Sequence, residues 1–269
     1  MGHWKEIVLR GAVIPIQQMM MFREQVAILR GTFSNDDRMR YELVRFGNML
    51  HENGFVAATD GNLSVRLDDG RVMITPSGFS KGMMEPKDMV VVDLAGKKLQ
   101  GSHNASSELG MHLAIYQERR DVNAVVHAHP CTATAFACSG FALEEPICAE
   151  VVMTLGKVPL APYATTGTPE LTSNIRPFIR DHHAILLANH GVVTYAEDLL
   201  SAYLKMEAVE HFAKVTLAAR QVGAPQVLND VQLEALEVAR QRYVNRRPAK
   251  LTQPAIPLGL SLSQLARRN

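Results

Sequence analysis

His127 and His129 stand two apart in the apolar run Ala124-Val125-Val126-His127-Ala128-His129. In an extended strand that spacing sends both side chains from one face, where two imidazoles can converge on one ion. His190 follows a second apolar run, Ala184 to Ala188, within Asn189-His190-Gly191. Three neutral imidazoles with an open fourth position suit a catalytic Zn2+ ion, and nitrogen-rich sites also accept Mn2+ or Co2+. An HxH pair alone is explained equally well by two histidines hydrogen-bonded at a strand end. The third histidine and a nearby carboxylate favour the metal. That carboxylate is Glu108, directly after Ser106-Ser107 at the head of a helical pattern. Hydroxyls and free N–H groups at such a terminus attract an anion such as phosphate, although plain capping accounts for the two serines by themselves. Gly61-Asn62 and Ser77-Gly78 are turn pairs that can join a phosphate site only if the fold brings the three loops together.

The remaining histidines (His3, His51, His103, His112, His182, His183 and His211) lack such spacing and read as surface or packing residues. His112 lies one helical turn after Glu108, where a supporting role is conceivable, but packing is the simpler reading. Lys81, three residues after Gly78, reads as an exposed lysine ahead of a further phosphate contact.

These side chains need elements to hold them. Ser34-Asn35-Asp36-Asp37 supplies capping chemistry for an amphipathic helix over 36–53, ended by Gly54. Alternating residues 63–67 and 71–74 flank Asp68-Asp69-Gly70 and predict a hairpin. Further strands are predicted over 89–93, 124–129, 158–161 and 184–188. Helices are predicted over 106–119, from Pro130 through Ala137, and over 170–180, 196–222 and 231–243. With no internal repeat and no Gly/Ser linker, one α/β domain over 34–245 is the economical organisation. A helical extension over 1–33 precedes it and a loose tail over 246–269 follows.

The chain has 269 residues, 47% of them hydrophobic, and a formal net charge of +1. A chain of this length buries a sizeable core without staples. The balanced charge gives no footprint for nucleic acid or an anionic membrane, so neither is expected as a partner. Cys131, Cys138 and Cys148 make an odd count without CxxC spacing, which argues against disulfides and points to a reducing, cytoplasmic setting. The apolar stretch Gly11 to Phe22 is broken by Gln17 and Gln18, and Arg23-Glu24 stand where a cleavage site is needed, so it does not read as a signal peptide.

Six ordered motifs carry a family resemblance: Thr59-Asp60-Gly61-Asn62-Leu63-Ser64-Val65-Arg66, Ile74-Thr75-Pro76-Ser77-Gly78, Ser106-Ser107-Glu108, His127-Ala128-His129-Pro130, Ala161-Pro162-Tyr163-Ala164-Thr165 and Asn189-His190-Gly191. Over roughly 37–243 the chain resembles the class II aldolase/adducin family, and within it the sugar-phosphate aldolase branch. The resemblance implies a three-layer α/β/α sandwich with a mostly antiparallel central sheet, assembled as a homotetramer with active sites at subunit interfaces. It implies metal ligation by His127, His129 and His190, with Glu108 as a fourth ligand that gives way to substrate. It further implies phosphate binding by Gly61, Asn62, Ser77, Gly78, Ser106 and Ser107. The activity implied is metal-dependent, reversible cleavage of a ketose 1-phosphate to dihydroxyacetone phosphate and a small aldehyde.

The general acid transfers less cleanly. Glu150 stands where the aldolase branch has a tyrosine, and Tyr243 matches a second tyrosine of the C-terminal segment. A glutamate at the Glu150 position is similar to the methylthioribulose-1-phosphate dehydratase branch, which lacks the glutamate of Ser-Ser-Glu. The epimerase branch has aspartate there, and adducin-like modules lack the metal histidines.

Overall fold

A computed structural model describes residues 34–246, with the backbone alone over 241–246. The expected extension over 1–33 and tail residues 247–269 lie outside the described residues. Helix α1 (Asn35–Glu52) opens with a capping box in which the Ser34 hydroxyl accepts from the Asp37 backbone and Asp37 bonds back to Ser34 N–H. Eight strands follow: β1 (Asn62–Arg66), β2 (Val72–Ile74), β3 (Val90–Val92), β4 (Lys98–Gln100), β5 (Ala124–Ala128), β6 (Leu160–Ala161), β7 (Ala184–Leu187) and β8 (Gly191–Ala196). They form one sheet in the order β4-β3-β2-β1-β5-β8-β7-β6. Every pairing is antiparallel except β6 with β7.

Helices α2 (Leu109–Glu118), α3 (Cys131–Cys138), α4 (Ala149–Thr154), α5 (Pro169–Ile179) and α6 (Leu199–Val222) complete the larger unit. On one face Leu43, Phe46, Met206 and Phe212 from α1 and α6 pack against Leu63, Val65 and Val126. On the other, Met111, Ile115, Leu171 and Ile175 from α2 and α5 pack against Val72, Ile74, Val125 and Val193. The result is the expected three layers. Alternation along β5 sends Ala124, Val126 and Ala128 to the first face and Val125 to the second, so His127 emerges toward α2.

A second unit begins at Asn229. Its described part is helix α7 (Asp230–Arg246), which starts with reciprocal bonds between Asn229 and Gln232.

The sequence pattern missed β8, starting a helix at 196 instead. All six β8 residues are buried between both layers, so they read as a continuous apolar run without alternation. The helix begins at Leu199 because the Asp198 carboxylate accepts from the Ser201 N–H as its N-cap. Strand β4 is exposed at all three positions and carried no pattern.

Helix α3 starts at Pro130, which has no side-chain cap bond. Its free N–H groups are met from α6, where the buried Glu210 carboxylate accepts from Thr132 N at 3.2 Å and Ala133 N at 2.9 Å. Glu210→Leu strands those donors, and urea unfolding is expected to show a loss of about 2 kcal/mol. An unchanged midpoint would show that water meets them equally well.

Candidate active site

Strand β5 is central, paired to β1 on one side and β8 on the other, and it carries His127 fully buried. One residue beyond its end, the His129 N–H donates to the Phe55 carbonyl at 2.8 Å, fixing the start of the next loop. His190 sits in the tight turn between β7 and β8. That turn needs Asn189 at φ +55°, a left-handed conformation that asparagine tolerates better than most residues. The structure thus brings the three imidazoles together: their ring nitrogens lie within 4.8 Å of one another. Glu108, the residue before α2, points its carboxylate into the same space. Its Oε2 is 3.1 Å from Nε2 of His127, and its Oε1 is 3.3 Å from Nε2 of His190.

Hydrogen bonding decides which nitrogens face inward. His127 Nδ1 lies 2.9 Å from the Val192 carbonyl, which can only accept, so the Nδ1 proton is fixed there and the neutral ring has its lone pair on Nε2. His129 Nδ1 faces the Asp60 carboxylate at 3.4 Å with the same consequence. The two Nε2 atoms are then only 3.0 Å apart. Facing lone pairs repel, so a proton or a cation must lie between them. Without metal the proton goes to His127: burial opposes its charge, but the adjacent Glu108 carboxylate overcomes this and raises its pKa. Burial, reinforced by that charge, lowers His129 to about 4 and His190 to about 3. Burial alone would raise the Glu108 carboxyl. His127, His190 and the Asn62 amide together hold it below the usual carboxylate range.

Glu108 Oε1 and His190 Nδ1 are buried without hydrogen-bond partners. A buried carboxylate oxygen aimed at imidazole nitrogens with no donor of its own is what a divalent ion would satisfy. The residues present therefore fit such an ion: His127, His129 and His190 as nitrogen donors and Glu108 as the oxygen donor.

The loops around this cluster are tied to each other. Thr75 N–H donates to the Leu63 carbonyl, Ser77 N–H to Asn104 and Ser106 N–H to Thr75. Asn62 Nδ2 donates to Glu108 Oε2 at 2.8 Å. Ser77, Gly78 and Ser107 are exposed, whereas Ser106 is buried and its Oγ accepts from the Glu108 N–H. Gly61 is required at its turn: with φ +72°, an added Cβ would meet the His127 carbonyl at 2.8 Å.

The match to the family model described as Class II Aldolase and Adducin N-terminal domain covers residues 41–217. The chain belongs to the class II aldolase and adducin family. Among the relatives of this chain is a 5-deoxy-D-ribulose 1-phosphate aldolase of Bacillus thuringiensis serovar kurstaki, 34% identical over 76% of this chain and 96% of that protein. A 3-oxo-tetronate 4-phosphate decarboxylase of Haemophilus influenzae is 36% identical over 72% of this chain and 94% of its own. A solved L-fuculose 1-phosphate aldolase superposes with a TM-score of 0.72 at 36% identity, covering 78% of this chain and 97% of that one.

The two residues expected as general acid are Glu150 and Tyr243. Glu150 is exposed in the first turn of α4, where its carboxylate accepts from Cys148 Sγ at 3.5 Å, and no hydrogen bond or ion pair links it to the imidazoles. Tyr243 lies on α7, in the second unit, beyond the described side chains.

Lys81 was expected on the surface and is instead buried, which corrects that reading. Its Nζ donates to the carbonyls of Thr59, at 3.0 Å, and Phe79, and burial lowers its pKa to about 8. Backbone carbonyls of two nearby loops replace the solvent that a lysine ordinarily keeps. His112 is also fully buried, but far from being mere filling: Ser64 Oγ lies 2.6 Å from Nδ1 and Asn62 Oδ1 lies 2.5 Å from Nε2. Those partners come from a strand nearly fifty residues earlier. The usable signal was the row of polar side chains, Asn62 and Ser64, alternating inward on β1.

Two expectations arise here. A Cβ on Gly191 would lie 2.5 Å from Cδ2 of His129 and 2.7 Å from the Ala128 carbonyl. Gly191→Ala is therefore expected to displace that ring and lower turnover about 10²-fold, with zinc content after dialysis falling in parallel. Full zinc retention with full activity would show that the ring has room to move.

The second concerns pH. Burial lowers His112 to about 3 and His183 to about 4, below their ordinary 6.5. Between those limits the unfolded chain binds protons that the folded one refuses. Stability therefore falls as pH drops below about 6.5, by up to about 1.4 kcal/mol per pH unit for each group. His129 and His190 act in the same sense. His127 acts in the opposite one, its raised pKa adding stability that is lost as pH rises. Metal-free protein should unfold at lower urea at pH 5 than at pH 7.5; a midpoint that rises on acidification would contradict this balance.

Proposed function

We propose that this class II aldolase reversibly cleaves a ketose 1-phosphate to dihydroxyacetone phosphate and a small aldehyde. The observation that carries the reading is the Glu108 carboxylate: one oxygen accepts from Asn62, and the other has no hydrogen-bond partner beside the three clustered imidazoles. His127, His129 and His190 would hold a divalent cation, zinc in first place with manganese or cobalt as alternatives, whose positive charge would stabilise the negative charge left on the ketone fragment.

The chain's own residues do the rest. Exposed Ser77, Gly78 and Ser107, with Gly61, Asn62 and Ser106 behind them, anchor the phosphate, so binding at the non-reacting end orients the bond to be broken. Glu108 returns a proton to the carbon of the ketone fragment in cleavage and removes it in synthesis. The oxygen that becomes the aldehyde must lose a proton as the bond breaks. Glu150 or Tyr243 takes it, reaching the site from a neighbouring subunit of a homotetramer. The enzyme acts in the cytoplasm; among the described residues no helix is long and apolar enough to cross a membrane.

Decarboxylation of a phosphorylated 3-oxo acid is the second reading, favoured by the decarboxylase name of a relative 36% identical. Both reactions break a bond beside a carbonyl, but loss of carbon dioxide needs no base at a departing aldehyde oxygen. Zinc-loaded protein offered fuculose, ribulose, 5-deoxyribulose and methylthioribulose 1-phosphates, and in parallel 3-oxo-tetronate 4-phosphate, separates them. Dihydroxyacetone phosphate from one of the ketoses supports the aldolase, carbon dioxide from the oxo acid alone supports the decarboxylase, and a diketone phosphate supports a dehydratase.

A further inference from the structure

A continuous line of buried hydrogen bonds passes between helix α2 and strand β1 and ends at the Glu108 carboxylate. Tyr116 Oη lies 2.8 Å from Ser64 Oγ, Ser64 Oγ 2.6 Å from His112 Nδ1, His112 Nε2 2.5 Å from Asn62 Oδ1, and Asn62 Nδ2 2.8 Å from Glu108 Oε2. Tyr116, Ser64, His112, Asn62 and Glu108 are all buried, so water cannot substitute for a lost partner. The line has only one consistent direction. An ionised carboxylate can only accept, so Asn62 must present its amide nitrogen to Glu108 and its carbonyl oxygen to His112. That carbonyl also only accepts, so His112 carries its proton on Nε2. Nδ1 then accepts from the Ser64 hydroxyl, which in turn accepts from Tyr116.

We propose that His112, acting through Asn62, is a positioning residue for Glu108, holding Oε2 still and so presenting Oε1 to the reacting carbon. Burial keeps the His112 ring neutral, and its bonds to Asn62 and Ser64 select the tautomer. The arrangement also explains why the two carboxylate oxygens differ, one bonded within the line and the other without any hydrogen-bond partner. Neither Tyr116 nor Ser64 is bonded to Glu108 itself; they fix the histidine, and the histidine fixes the amide. The kinetic consequence rests on the aldolase reading, whereas the direction of the line does not.

Two measurements test it. Nitrogen-15 NMR of histidine-labelled, zinc-loaded protein is expected to show His112 neutral with the proton on Nε2 and an acceptor-type shift at Nδ1. A proton on Nδ1 reverses the line and overturns the proposal. The second measurement follows exchange of the hydroxymethyl protons of dihydroxyacetone phosphate with deuterated water. His112→Phe fills the apolar space without either nitrogen and is expected to slow exchange at saturating substrate about 10–100-fold, with zinc content kept. Half-saturation should move less than about threefold, the mark of lost positioning rather than lost binding. His112→Gln, whose amide nitrogen can donate to Asn62, should recover most of the rate. Exchange unaffected in His112→Phe, lost only together with zinc, or not recovered by Gln overturns the proposal. Should the wild-type protein exchange nothing, the aldolase reading fails separately. The crystal structure of His112→Phe then decides the positioning claim: a Glu108 side chain turned away from Asn62 supports it, an unmoved one overturns it.

Discussion

Glu108→Gln is expected to keep the cation and lose turnover by about 10²–10⁴-fold, the usual scale for a group that moves a proton in the transition state. The substitution is close to isosteric, and the three imidazoles remain to hold the ion. What disappears is the base. A glutamine also offers an amide N–H where Glu108 now accepts from Asn62, so two donors face each other unless the new side chain turns. Steady-state release of dihydroxyacetone phosphate, with zinc measured on the same sample, reads both effects. Full activity with zinc bound would remove Glu108 from the chemistry, and loss of zinc would assign it to holding the ion instead.

The second large effect is expected from the imidazoles. His190→Ala takes away one of three nitrogen donors, the ring nitrogen 3.3 Å from Glu108 Oε1. Because the ion supplies several kcal/mol of charge stabilisation, turnover should fall by about 10³-fold or more, and zinc should dialyse away. His190 sits in a surface-side turn and is only partly buried, so the fold should survive. The fully buried His127 differs: His127→Ala also strands the Val192 carbonyl and leaves Glu108 without the charge that compensates it, and loss of stability should accompany loss of metal. Equal urea midpoints for the two variants, with zinc retained by either, would contradict this division of roles.

The metal-ligand expectation was legible because its signal is local. An HxH pair on an apolar strand sends both rings from one face, and the Asn189-His190-Gly191 turn announced where the third ring would leave the sheet. Glu108 was legible through its place at a helix start. What the sequence could not announce was anything depending on pairs distant along the chain. His112 reads as packing in the sequence because neither Asn62 nor Ser64 is near it there; the pairing of β1 with β5 and the packing of α2 beneath them bring the three into contact. Lys81 reads as exposed because lysine usually is, and the carbonyls that receive it belong to loops whose meeting no periodicity encodes. Strand β8 escaped for the reverse reason, its two buried faces erasing the alternation that marks a strand. Glu150 rests on its place in the chain alone: among the described residues its carboxylate bonds to Cys148 two residues earlier, and a site shared between subunits leaves no local signal.

The account is tested most directly by following dihydroxyacetone phosphate from the ketose 1-phosphates before chelation, after chelation, and after zinc is restored. At least one substrate is expected to be cleaved by the loaded protein, to survive once the ion is stripped, and to be cleaved again when zinc returns. Cleavage that continues undiminished without the ion, or a fully loaded protein that cleaves none of them, would contradict it.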